Sequence, residues 1–92
     1  MLFVALLMVR PGSSFKVGGA RRIQRQYPEG VNVVGEYWLE TDSPMVIAIM
    51  ETESMAPLGQ IRMECGDMLE IEVFPAVPAE EGMQMVREAM PG

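Results

Sequence analysis

Two stretches of the chain are apolar at every position, residues 2–9 and 45–50, and two others alternate. Uninterrupted apolar runs of this length are expected of strands covered on both faces. The alternating stretches, 31–40 and 68–74, predict half-buried strands. In the first, Val31, Val33, Gly35, Tyr37 and Leu39 share one side, and Asn32, Val34, Glu36, Trp38 and Glu40 the other. In the second, Leu69, Ile71 and Val73 oppose Met68, Glu70, Glu72 and Phe74.

Three stretches have helical spacing. Residues 13–26 start at Ser13 or Ser14 as N-cap and place Phe15, Gly19, Ile23 and Tyr27 along one side. Gly18-Gly19 costs this helix roughly 1 kcal/mol per glycine relative to alanine, so it is either irregular there or packed closely on a neighbour. Residues 54–65 form a second helix, with Ser54 as N-cap, Pro57 tolerated in the first turn, and Leu58, Ile61 and Cys65 inward. Residues 79–90 form the last, with Glu80 and Glu81 suited to its N-terminal dipole and Met83, Val86 and Met90 inward. Breakers separate these units: Pro11-Gly12, Pro28-Glu29-Gly30, the hairpin turn Thr41-Asp42-Ser43-Pro44, Gly66-Asp67, Pro75, Pro78 and Pro91-Gly92.

The order β-α-β-β-α-β plus one helix predicts an α+β, ferredoxin-like sandwich over a four-stranded antiparallel sheet ordered 4-1-3-2. The two fully apolar strands are the first and third, which that order makes central. At 92 residues the chain is long enough for one domain, 1–92. Apolar residues make up 49% and charged residues 22%, which excludes a disordered tail or a collagen-like repeat. The apolar run at the N-terminus lacks a basic lead and a cleavage site. It also stops at Arg10-Pro11-Gly12, far short of the ~20 residues of a membrane span. It reads as a buried strand, and no membrane association is expected.

Composition removes several chemistries. There is no histidine, so imidazole acid–base catalysis and His-ligated zinc are excluded. The one cysteine, Cys65, has no intramolecular disulfide partner, which fits a reducing cytoplasm, and it reads as an inert buried thiol. Met63, Cys65 and Met68 offer soft sulfurs at close spacing, but ten methionines make that proximity ordinary core packing. No phosphate-binding glycine loop occurs, and no cofactor or metal is expected.

The net charge of −6 is unevenly spread. Residues 1–28 carry Arg10, Lys16, Arg21, Arg22 and Arg25 and no acid, a net +5, whereas residues 29–92 carry 13 acids against Arg62 and Arg87, a net −11. The plain reading is a basic helix that offsets acids elsewhere in the body, and nucleic-acid binding is not expected.

Three short helices can cover one face of the sheet. The other face carries the apolar stripe of the central strands, flanked on the edges by Glu36, Trp38, Glu40, Glu70 and Glu72. At about 25 cal/mol per Å² such a stripe is costly to leave in water, which predicts a homodimer through that face. A pocket between the two sheets would have those glutamates and Trp38 at its rim and take a small apolar molecule. Edge glutamates also serve as ordinary guards against strand addition, and Trp38 as a packing residue.

The segments Pro28-Glu-Gly-Val-Asn-Val-Val-Gly35, Met45-Val-Ile-Ala-Ile-Met-Glu-Thr52 and Asp67-Met-Leu-Glu-Ile-Glu-Val-Phe-Pro75-Ala-Val resemble a small uncharacterised prokaryotic family. That family is a domain of unknown function grouped with ferredoxin-like dimeric α/β-barrels. The resemblance implies a dimer and transfers no catalytic residue; fold alone does not choose an activity. The favoured expectation is a non-enzymatic homodimeric domain with a small-molecule site between its sheets. The alternative is a cofactor-independent monooxygenase or isomerase with Glu36, Glu70 or Glu72 as base beside Trp38. A third reading, behind both, has an anion or nucleic-acid contact through the helix of Arg21, Arg22 and Arg25.

Overall fold

Eight consecutive apolar residues form β1 (Leu2–Val9), which pairs antiparallel with a strand on each side. A computed structural model describes residues 1–41 and 43–91. After β1 come α1 (Phe15–Ile23), β2 (Asn32–Trp38), β3 (Val46–Glu51), α2 (Ala56–Cys65), β4 (Leu69–Ala76) and α3 (Ala79–Ala89). The sheet runs β2-β3-β1-β4 with antiparallel neighbours, the 4-1-3-2 order of a ferredoxin-like α+β fold, and β1 and β3 are central. Of the hairpin turn expected between β2 and β3, Asp42 lies outside the described residues, as does Gly92.

The registers assign every side chain to a face. Phe3, Ala5 and Leu7 of β1 align with Met50, Ala48 and Val46 of β3, and Ala5, Leu7 and Val9 with Val73, Ile71 and Leu69 of β4. This face is buried, and Met45, Leu58 of α2 and Cys65 complete the core against it. The opposite face carries Leu2, Val4, Leu6 and Met8 of β1 and Ile47 and Ile49 of β3. No helix buries these six, and all remain half-buried. Beside them stand Phe74, Glu70 and Glu72 of β4 and Tyr37 of β2, all exposed.

Both core helices are shorter than their spacing predicts. Ser14 caps α1, accepting a hydrogen bond from the Val17 N–H at 3.2 Å, and the helix ends at Ile23, leaving that residue exposed and Tyr27 in the following loop. The double glycine packs closely: a Cβ at Gly18 would lie 2.9 Å from Leu69 Cδ2, and one at Gly19 3.1 Å from Trp38 Cζ3. Helix α2 begins after Met55 with no side-chain cap, so Ser54 is not its N-cap; the Thr52 hydroxyl instead donates to the Ser54 carbonyl at 3.1 Å. Leu58 and Cys65 point inward as expected, and Ile61 is partly buried.

The last helix departs most from expectation. Met83, Val86 and Met90 do not point inward: they are 50%, 60% and 64% exposed, and no residue of α3 is buried. The helix leaves β4 through Val77 and Pro78 and projects from the body. The radius of gyration is therefore 15.1 Å, and the long dimension is 51 Å against 28 and 18 Å for the others. A compact chain of this length would have a radius of about 12 Å.

The closeness of α1 to the sheet yields a test. Valine at Gly18 must displace Leu69, which is fully buried, so Gly18→Val is expected to lower the unfolding free energy by about 1–3 kcal/mol in urea denaturation.

Candidate functional site

The bulge in β2 decides which side chains can form a site. Val33 aligns with Met50 but Gly35 with Ile49, so Val34 is the extra residue and the alternation reverses beyond it. Glu36 then aligns with Ala48 and Trp38 with Val46, both on the buried face. This corrects the expectation that Glu36 and Trp38 flank the open face. The signal for it was Gly35, since a glycine inside a strand often marks a bulge.

Turned inward, Glu36 meets α1 and the loop after it. Its Oε1 accepts hydrogen bonds from Arg22 Nη2 and Tyr27 Oη, and its Oε2 accepts one from Trp38 Nε1 at 2.8 Å. The Arg22–Glu36 ion pair is largely shielded, each side chain 17% exposed. The Arg22 guanidinium also sits 4.7 Å from the centre of the Tyr27 ring, a cation–π contact. Trp38 packs edge-on to Phe15, with ring centres 6.2 Å apart. Arg22 and Tyr27 are the partners that sequence spacing did not single out for Glu36.

Three donors set the electrostatics of this cluster. Burial alone would push the Glu36 carboxyl up, but the hydrogen bonds from Arg22, Tyr27 and Trp38 outweigh it and hold the group below its ordinary value. Tyr27 moves the other way. Burial, and then its hydrogen bond to Glu36, push the phenol up to about 12. A carboxylate so held is a structural anchor, whereas a general base works best with a pKa near the operating pH.

Two other cations of the basic segment are spent on the fold. Arg21 binds the Asp67 carboxylate at 2.7 Å and the Glu64 carbonyl at 3.2 Å, and Arg10 donates to the Gly66 carbonyl at 2.6 Å. Arg21 and Arg22 are thus already occupied by this chain's own acids.

Beside the Glu36 cluster lies a narrow apolar cleft between α1, α2 and the buried face, walled by Leu7, Tyr27, Met50, Ile61 and Cys65, with Arg22 and Arg25 at its mouth. Its volume of about 30 Å³ admits roughly one water molecule, well below the ~300 Å³ of a small-molecule site. Burial pushes the Cys65 thiol up, which keeps it protonated and unreactive. A wider hollow of about 630 Å³ lies at the sheet end near Met1, Glu51, Glu53 and Pro57, but it is open to solvent. Among the described residues, no three Cys, Asp or Glu side chains gather to hold a metal ion.

Of the five residues expected at a pocket rim, Glu70 and Glu72 stand together on the open face, aligned with Met8 and Leu6. Glu40 is exposed beyond the end of β2, and Glu36 and Trp38 face α1. The structure therefore divides this set between two sides of the sheet.

The Glu36 anchor makes two predictions. A depressed carboxyl contributes stability above its ordinary value of about 4.3 and loses it as the pH falls through the folded value. Wild type is therefore expected to exceed Glu36→Gln in unfolding free energy near neutrality, with the gap closing as the pH falls below the ordinary carboxyl value and through the depressed folded one. In alkaline absorbance titration, one phenol should ionise with a midpoint of about 12, and Tyr27→Phe should remove that step.

No curated protein and no solved structure matches the chain. Residues 1–90 match a family described as "Domain of unknown function (DUF3303)". A match of that extent includes both central strands, the bulged strand with Glu36, and α3, so this protein belongs to the DUF3303 family.

Proposed function

We propose that the protein works as a homodimeric, non-catalytic small domain, two copies meeting through their open sheet faces as in a dimeric α/β-barrel and holding a small apolar molecule between them. The observation that carries this reading is the uncovered stripe of Val4, Leu6, Met8, Ile47 and Ile49, extended by Phe74 and Tyr37. Contiguous apolar patches of this kind mark interaction sites. The cleft of about 30 Å³ is too small for a ligand and the hollow near Met1 is open to solvent, so a second sheet would supply the other wall of a ligand-sized cavity.

Glu70 and Glu72 would then stand at the rim of the shared space, where they favour a weakly cationic end on an otherwise apolar ligand. The enzymatic alternative loses Glu36, whose carboxylate already accepts three hydrogen bonds. No helix among the described residues is long and apolar enough to cross a membrane. A reducing compartment such as the cytoplasm suits the single buried thiol.

Tyr37 and Phe74 are 60% and 48% exposed in the single chain, so charges placed there should leave its folding intact. Wild type is expected to sediment as a two-chain species at micromolar concentration. Tyr37→Glu with Phe74→Glu should sediment as single chains with an unchanged far-UV circular dichroism spectrum. A wild type that stays single at those concentrations overturns the reading.

A further inference from the structure

Helix α3 has an apolar side with nothing against it. Val77, Ala79, Gly82, Met83 and Val86 line one side of the segment together with Arg87, and except for the half-buried Gly82 all are exposed. The four charged residues of α3 are Glu80, Glu81, Arg87 and Glu88, and the one cation shares the apolar side. Among the described residues the Arg87 guanidinium donates to Gln84 of its own helix, at 3.3 Å, and makes no ion pair. The open sheet face is the complement of this surface. Its centre is apolar, and the charged residues on its β4 side are the carboxylates Glu70 and Glu72.

These two surfaces belong to one chain but do not meet in it. Pro78 lies at the N-cap of α3 in an extended conformation, with φ −57° and ψ 154°, so the chain leaves the sheet along the course of β4 rather than turning back. We infer that α3 is an exchanged arm: in the dimer proposed above, the α3 of each copy packs at the β4 margin of the other's open face, beside the sheet-to-sheet contact, with Arg87 toward Glu70 and Glu72 of the second copy. The inference rests on that dimer and adds to it a second contact surface.

Area supports the second copy as the occupant. Four strands about 4.8 Å apart and roughly 20 Å long give the open face a footprint of roughly 400 Å². A stable interface of standard size buries about 800 Å² per partner. A helix of this length, about 16 Å by 10 Å, adds roughly 160 Å² from each copy and brings the total nearer to that size. Exchange also explains why an amphipathic helix with three exposed apolar side chains has no cover from its own core.

The test uses the full-length chain and measures the dimer dissociation constant by sedimentation. Val86→Asp should leave the single chain folded, because Val86 is 60% exposed in it, and should weaken the dimer about tenfold or more. Arg87→Glu should weaken it as well, and adding Glu70→Arg with Glu72→Arg to the same chain should restore it in part. Cysteines at Val86 on one chain and at Leu6 on another should be joined by a flexible thiol cross-linker when the chains are mixed. A wild-type dimer whose affinity Val86→Asp leaves unchanged overturns the exchanged arm and leaves the sheet-to-sheet dimer standing. Mixed chains that form no cross-link also overturn it. A wild type that never dimerises overturns both readings.

Discussion

The central strands are apolar on both sides, and that constraint governs the rest of the molecule. Burying Phe3, Ala5, Leu7, Val46, Ala48 and Met50 beneath two helices necessarily turns Val4, Leu6, Met8, Ile47 and Ile49 the other way. Successive residues of a strand point to opposite faces, so no shift of register relieves the conflict; it only exchanges which apolar set is covered. Two helices of nine and ten residues cannot wrap both faces. The third helix, which could have served as cover, stands apart.

Within the covered half, one carboxylate does much of the fastening. Glu36 joins the end of α1 through Arg22, the loop after it through Tyr27, and its own strand through Trp38. Arg21 and Arg10 extend the same logic to the turn between α2 and β4, through Asp67, Glu64 and Gly66. The charge asymmetry between the first 28 residues and the remainder is thereby partly neutralised inside the fold. Arg10, Arg21 and Arg22 of the basic segment thus tie β1 and α1 to α2, to the turn after it and to β2.

Much of the architecture was legible in the linear pattern because it rests on period. Uninterrupted apolar runs marked β1 and β3 as central, and alternation marked β2 and β4 as edges, which is enough for the sheet order. What period could not show is a break in period. The bulge at Val34 moves Glu36 and Trp38 to the opposite face from the one their spacing gives, and with them two of the five residues expected at a rim. Glu70 and Glu72, on an unbulged strand, fall where alternation puts them. The inward side of α3 failed for a different reason: amphipathic spacing says that a helix needs an apolar neighbour, and is silent on whether its own chain supplies one.

The paired glycines of α1 bring its backbone down onto Leu69 on one side and Trp38 on the other. Indole and glycine are therefore two halves of a single shape. A Cβ at position 19 would stand 3.1 Å from the indole, so a larger residue there needs the Trp38 ring to give way, and Phe15 packs edge-on to that same ring. Lifting α1 away from the sheet would also carry Arg22 away from Glu36. The steric fit at one turn of helix and the ion pair at the next are accordingly a single mechanical unit, in which a change at one end is felt at the other.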